Sequence, residues 1–389
     1  MSSKAKLAFG VEFELLLKPS STTLLASLEK SCPGWAEKLE GAKAAEKAAE
    51  VKGDAATVRK AKEEVGRLRN LFRVEIANTL SLIYDVSAST RASNFQVWSV
   101  IDEPTLDEVP GYCRVEFVSK VFRSDEDWQF ELVQVFRFLK DWCYVQRTQG
   151  CSMHVHVSPS AEQRGQEDKW TTPQLNSIIK ALSYFDNPIT SIMPPERKNN
   201  PFAASNMLSD EVAKGNPKLK ALYEQVPQQK WQPLFEYYDT ELKSAIHRTR
   251  AHPIMGYCRY ASWNFEHITN ACGTIEFRRS PAVATAGSAT HWASFTLGFI
   301  YAAACQTESS YWHEKSGTNT HPSVGDLDSF VKKGLHGLEA ISRGGLRSLK
   351  ADTSEPRLWS AAEMADFLKK KEKLGSCADP DSFVQKVCS

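Results

Sequence analysis

The sequence predicts an α+β fold, and two observations point to it. Four strand-like segments carry Glu or His where a half-buried strand would otherwise be apolar, and stretches of helical periodicity lie among and after them. In Gly10-Val11-Glu12-Phe13-Glu14-Leu15, the period of two puts Glu12 and Glu14 on one face. Arg114-Val115-Glu116-Phe117-Val118 sets Glu116 among apolar neighbours. Met153-His154-Val155-His156-Val157 turns both imidazoles one way, and Gly273-Thr274-Ile275-Glu276-Phe277-Arg278 pairs Glu276 with Arg278.

Taken in order, residues 7–17 read as the first strand. Residues 36–80 are rich in Ala, Lys and Glu and read as two helices broken at Gly53-Asp54, a hairpin inserted into the body. Their mixed charges read as a solvated face, with no matched motif and no evident part in chemistry. Phe95–Ile101 reads as a strand and Glu103 to Gly111 as a loop. Ser124-Asp125-Glu126-Asp127 then caps a helix expected from Trp128 to Arg147, with Phe130, Val133, Phe136 and Leu139 inward. Thr172-Pro173 starts a helix reaching Phe185. Residues 186–235, rich in Pro, Asn and Lys, read as a long irregular excursion. Ala261–His267 and Gly273–Arg278 are expected as adjacent antiparallel strands, followed by a helix over Ser288–Cys305. Residues 1–305 therefore read as one catalytic domain with an insertion at about 36–80. Residues 306–389 read as a C-terminal helical appendage, with helices near 325–342 and 360–373.

Each acidic residue alone fits a salt-bridged or solvent-facing strand position, and the His pair alone fits a pair of satisfied core histidines. Together they imply more. Glu12, Glu14, Glu116 and Glu276 converging on one cleft would repel one another and lose hydration. Two divalent cations neutralise four carboxylates. Mg²⁺ favours oxygen ligands, and Mn²⁺ suits a mixed oxygen and imidazole set. No glycine-rich phosphate loop and no dinucleotide fingerprint follows a strand, so a nucleotide would be held by ions and side chains.

The four segments, in this order, resemble the amidoligase family of the carboxylate–amine ligase superfamily, which includes glutamine synthetase and glutamate–cysteine ligase. Shorter matches are Trp98-Ser99-Val100-Ile101-Asp102, Pro195-Glu196-Arg197, and Arg259-Tyr260 followed by Trp263-Asn264. Two positions depart from the family pattern: Ser152 stands where a Gly is usual, and Glu103-Pro104 follows Asp102 in place of a small residue. The resemblance implies a glutamine-synthetase-like core. Its curved, mainly antiparallel sheet would open an acidic face to a cleft, with helices packed on the outer side. It implies ATP-dependent joining of a carboxylate, glutamate-like or other, to an amine through an acyl phosphate, with two Mg²⁺ or Mn²⁺ ions. Carried over residue by residue, Glu14 and Glu116 would hold one ion, and Glu12, His154 and Glu276 the other. His156 would face the nucleotide phosphates or the reacting carboxylate, as a catalytic residue, and Ser158 the nucleotide. Arg278 and Arg197 would stabilise the transferred phosphoryl group, and Asp102 and Asn264 would contact substrate.

Apolar residues make up 42% and charged residues 24% of the 389-residue chain, as in ordinary globular proteins, and a net charge of +1 gives no electrostatic case for nucleic acid. No apolar run suits a membrane span. The nine cysteines form no C-x-x-C pair, and Met1-Ser2-Ser3-Lys4 leaves no room for a signal peptide before the first acidic strand. The C-terminal Lys386-Val387-Cys388-Ser389 fits neither a prenylation box nor a peroxisomal tripeptide. A cytoplasmic protein with reduced thiols and small-molecule or peptide substrates is expected, and the helical insertion offers a surface for a protein partner. Two other functions compete: a His/Glu metalloenzyme such as a cupin-like oxygenase or hydrolase, and a non-catalytic binding protein retaining the fold.

Overall fold

Apolar residues at every second position, from Leu7 through Phe9, Val11, Phe13, Leu15 and Leu17, give the molecule its longest strand, β1 (Leu7–Pro19), with these side chains buried. The other strands are β2 (Ala88–Ser89), β3 (Trp98–Ile101), β4 (Cys113–Val118), β5 (Phe122–Arg123), β6 (Cys143–Gln146), β7 (Ser152–Pro159), β8 (Trp263–Asn264) and β9 (Ile275–Pro281). The helices up to the end of the irregular region are α1 (Thr22–Ser31), α2 (Trp35–Lys52), α3 (Ala55–Ile83), α4 (Trp128–Trp142), α5 (Thr172–Tyr184), α6 (Asp186–Ser191), α7 (Pro195–Lys198), α8 (Asp210–Gly215), α9 (Pro217–Glu224), α10 (Val226–Gln229), α11 (Gln232–Lys243) and α12 (Ala251–Ile254). After β9 come α13 (Ala286–Cys305), α14 (Ser309–Ser316), α15 (Val324–Gly337) and α16 (Ala361–Leu374). This computed structural model describes residues 7–91, 95–159, 169–243, 251–256, 258–269, 273–307, 309–338 and 345–374.

The strands form one open sheet in the order β2-β3-β4-β1-β7-β9-β8. All pairings are antiparallel except the short parallel one between β2 and β3. One edge of β1 carries β4 and β5, the other β7 and β6, so the two acidic or histidine strands flank the first. The apolar face of the sheet meets helices through aromatic pairs: Phe9 on Trp128 at 5.1 Å, Phe13 on Phe136 at 5.2 Å, and Phe277 on Phe295 at 5.6 Å between ring centres. Among the described residues no helix is long and apolar enough to cross a membrane.

The hairpin forms as its residues direct. Gly53 closes α2 at φ 70°, a left-handed cap that glycine adopts without a Cβ clash, and the Asp54 side chain accepts from Thr57 N to open α3. Its inner face is not solvated, however. Trp35, Leu39, Leu68, Phe72 and Ile76 are buried, the Trp35 indole donates to Leu68 O, and Arg69 is 4% exposed. Helix α5 opens with a capping box between Thr171 and Gln174 and Pro173 in its first turn.

Several boundaries differ from expectation. The helix from Trp128 stops at Trp142 because Cys143–Gln146 peels off to pair with Leu16–Pro19 of β1. Its inward face is Trp128, Leu132, Val135, Phe136, Phe138 and Leu139, which leaves Phe130 and Val133 half exposed. The strand expected over Ala261–His267 shortens to Trp263–Asn264 and is followed by a 3₁₀ turn at Glu266–Thr269. The region 186–235 folds into short helices, several begun by Pro in the first turn. Helix α15 returns to the body and packs on α13, with Leu327, Phe330, Val331 and Leu335 buried in the main core. The following segment straps across α6 and α7: Asp352 N donates to Ser191 O, Arg357 N to Pro195 O, and Lys198 Nζ to Asp352 O.

Candidate active site

The strand registers decide which side chains meet. Glu12 faces His154 across β1 and β7, Glu14 faces Glu116 across β1 and β4, and His156 faces Glu276 across β7 and β9. Adjacent positions on one face of neighbouring strands are close enough for direct interaction. Opposite His156 on β1 stands Gly10, which leaves that part of the face free of any side chain from β1.

Both imidazoles touch the same two carboxylates. His154 Nδ1 lies 3.1 Å from Glu12 Oε2 and 3.4 Å from Glu276 Oε1. His156 Nε2 lies 3.2 Å from Glu12 Oε1 and 3.6 Å from Glu276 Oε1. His154 is the more buried, and its Nε2 meets Ser152 Oγ at 2.8 Å, while the Ser152 hydroxyl also donates to Glu14. Arg278 forms an ion pair with Glu276 through Nη1, and Asn264 Nδ2 donates to Glu276 Oε2 at 2.8 Å. Donor atoms of Glu12, His156 and Glu276 lie within 4.8 Å of one another, and so do those of Glu14, Glu103 and Glu116.

The two trios differ electrically. Burial would raise Glu12, but the His156 and His154 imidazoles outweigh it and hold Glu12 well below the usual carboxylate range. Burial likewise opposes ionisation of Glu276, yet Arg278 and the two imidazoles bring it to about 2. His156 is disfavoured as a cation by burial but raised to about 9 by Glu12 and Glu276. The second trio is less well compensated: His154 Nε2 stands 3.7 Å from Glu14 Oε2, and Arg278 only partly offsets burial at Glu103 and Glu116. Burial, with Glu12, Glu103 and Glu14 nearby, pushes Glu116 well above the usual range, and burial with Glu14 pushes Glu103 up to about 7. Like-charged carboxylates in low dielectric suit a cation. His156 Nε2 is buried against the Glu12 and Glu276 carboxylates, and Arg278 Nε is buried without a hydrogen bond, an unspent polar atom offered to a ligand. The residues therefore fit divalent cations.

The other expected site residues lie as follows. Ser158 is farther along the His face of β7, opposite Ala8. Arg197 is not a surface residue but 1% exposed, and its guanidinium is spent on the Arg279 and Arg278 carbonyls, tying α7 to β9. Asp102 belongs to neither trio and pairs with Arg114 at 3.1 Å and Arg73 at 3.3 Å. Asn264 braces Glu276. Sequence reasoning missed three residues. Glu103 completes the second trio, Ser152 links Glu14 to His154, and His267 sits with its ring 6.0 Å from that of His156. Burial and the charge of His156 lower the pKa of His267. The signal for Glu103 and Ser152 was present: both are the positions that depart from the family pattern. A cavity of about 620 Å³ opens at the Ser152 end of β7, lined by Gln146, Cys151, Arg197, Ala282 and Arg357 among others.

No curated protein and no solved structure matches the chain. A family model described as putative amidoligase enzyme matches residues 5–300, a span that contains both trios, Arg278 and Arg197. The chain belongs to that amidoligase family, whose membership points to a ligase-type enzyme.

Proposed function

We propose that the protein is an ATP-dependent carboxylate–amine ligase with a glutamine-synthetase-like core, which activates a carboxylate as an acyl phosphate and transfers it to an amine. The observation that carries this reading is the pair of adjacent donor trios, Glu12–His156–Glu276 and Glu14–Glu103–Glu116, beside the Arg278 guanidinium. Each trio would hold one Mg²⁺ or Mn²⁺ ion, and bound ions would neutralise nucleotide phosphate charge. The more exposed His156 takes the ligand role in the first trio. His154, engaged at both nitrogens by Glu12 and Ser152, orients the carboxylates around it. Arg278 lies within reach of the same space, and its planar fork suits a phosphoryl group. Arg197, bound to main-chain carbonyls, supports the strand that carries Arg278 rather than offering its own guanidinium.

Joining a carboxylate to an amine in water is uphill, so activation precedes attack, and the amine must lose a proton to a nearby base. The test is incubation with ATP, Mg²⁺ and pooled amino acids, amines and peptides, read by nucleotide product and by the mass of new amides. The expected products are ADP, phosphate and an amide. AMP with pyrophosphate, or no turnover with any pool, would overturn the reading.

A further inference from the structure

The loop that delivers Glu103 runs from the end of β3 to the start of β4, and cations tether it on both sides of that residue. Ahead of it, Asp102 meets Arg114 Nη2 at 3.1 Å, Arg73 Nη1 at 3.3 Å and Arg69 Nη1 at 3.9 Å. Behind it, Glu108 pairs with Arg69 Nη2, with Arg114 Nη1 at 3.2 Å and with Lys43 Nζ at 3.9 Å. Lys43 also donates to Tyr112 O at 2.9 Å, and Glu40 accepts from Gly111 N at 3.2 Å. Lys43, Arg69 and Arg73 all come from the α2–α3 hairpin, and Arg114 alone comes from the sheet. Between the tethers, Glu103 accepts from Thr105 N at 2.8 Å, and Leu106 is buried with Leu16 and Cys151.

The arginine side of this network is largely buried, while Asp102 at 32% and Glu108 at 50% exposure reach solvent; half-exposed ion pairs of this kind add little net stability, and the best-attested use of such networks is to fix one arrangement. Here the Nε atoms of Arg69, Arg73 and Arg114 are buried without a hydrogen bond, while their Nη atoms are aimed at Asp102 and Glu108. We propose that the α2–α3 hairpin is a positioning element of the second donor trio: Arg69 and Arg73, acting through Asp102 and Glu108, hold Glu103 where it reaches an ion shared with Glu14 and Glu116. The proposal rests on the two-ion reading above. It gives Asp102 a positioning role in place of substrate contact, and it gives the hairpin a share in the site although it carries no family motif.

The experiment is Mn²⁺ titration of the full chain, followed by calorimetry and electron paramagnetic resonance, with melting temperature measured in parallel. Wild-type protein should bind two ions. Arg73→Gln and the near-isosteric Asp102→Asn should leave one ion within about twofold and weaken the other by at least about tenfold, the scale of losses from groups that orient ligands. Arg73→Lys, which restores the charge, should recover most of that loss. If Arg73→Gln does not fold, Asp102→Asn carries the test. Folded variants with both ions unchanged overturn the proposal alone. Equal weakening of both ions in step with a lowered melting temperature reveals a general structural role and also overturns it. Wild-type protein binding fewer than two ions overturns the two-ion reading and the proposal together.

Discussion

At the scale of single residues, the second trio turns on Glu103. If Glu103 holds an ion as proposed, Glu103→Gln removes a ligand charge at nearly constant shape. It should weaken one of two Mn²⁺ ions by at least about tenfold and cut amide formation as deeply, with the fold intact by circular dichroism. A fully active variant would remove Glu103 from the site. Arg278 and Arg279 offer a paired comparison, because adjacent strand residues point to opposite faces. Arg278→Lys should lower kcat at least about tenfold, roughly 1.4 kcal/mol of barrier, with metal affinity nearly unchanged. Arg279 is no neutral control. It is fully buried, and its guanidinium donates to Thr190 Oγ1 and Lys198 O, each at 2.8 Å. Arg279→Lys should therefore cost about 2–4 kcal/mol of stability through lost charge-assisted bonds while sparing kcat per folded molecule. Denaturant unfolding and kinetics on the two variants separate the effects. A larger kcat loss in Arg279→Lys than in Arg278→Lys would reverse the assignment of the two faces.

At the scale of elements, the helices behind the sheet meet so closely that glycine decides their spacing. A Cβ on Gly334 would lie 1.9 Å from Gly298 O, and one on Gly298 would lie 2.6 Å from Val331 O. Helices α13 and α15 can approach this far only without those side chains. Gly298→Ala should cost about 1–3 kcal/mol by overpacking. Gly66, exposed on α3 with nothing within 4 Å of the added carbon, supplies the opposite case. Gly66→Ala should stabilise by about 0.5–1 kcal/mol through helix propensity. Chemical denaturation of the two variants tests both signs, and a Gly298→Ala protein as stable as wild type would show that the helix pair can slide apart.

At the scale of the whole molecule, the site charges should make the metal-free protein less stable as pH rises. Glu103 and Glu116 hold their protons longer folded than unfolded, so their contribution falls from the ordinary 4.5 upward, to about 7 for Glu103. The ion-paired His156 contributes fully below its ordinary 6.5, and that contribution is lost as pH rises through about 9. Glu12 and Glu276, both depressed, contribute fully above 4.5 and lose it only in stronger acid. Across the interval from about pH 5 to 9 these five groups therefore act flat or downward, and His267, its pKa lowered, opposes them only up to its ordinary 6.5. Melting with EDTA and with excess Mg²⁺ at a series of pH values should show a gap that widens as pH rises, since cations replace the protons. A gap that narrows with pH would contradict the assignment of these residues as ligands.

Much of the sheet was legible in the sequence because a strand has a period of two. The alternation around Glu12, Glu116, His154 and Glu276 fixed which side chains share a face, whatever the strands paired with. The break at Gly53-Asp54 was equally local, a left-handed cap followed by an Asp cap. Residues 143–146 were not legible: their strand exists only because β1 offers an edge at Leu16–Pro19, and helical periodicity continued through them. The second trio was half legible. Glu14 and Glu116 stood on recognisable strands, but Glu103 reaches them from a loop whose course is set by Asp102 and Glu108 gripping arginines from a distant hairpin. By itself, the sequence determined the alternating faces, the helix caps and the donor types, which depend on a residue and its near neighbours. Register, loop course and the partners of buried charges were decided by the tertiary structure alone, because each depends on groups brought together from positions far apart in the chain.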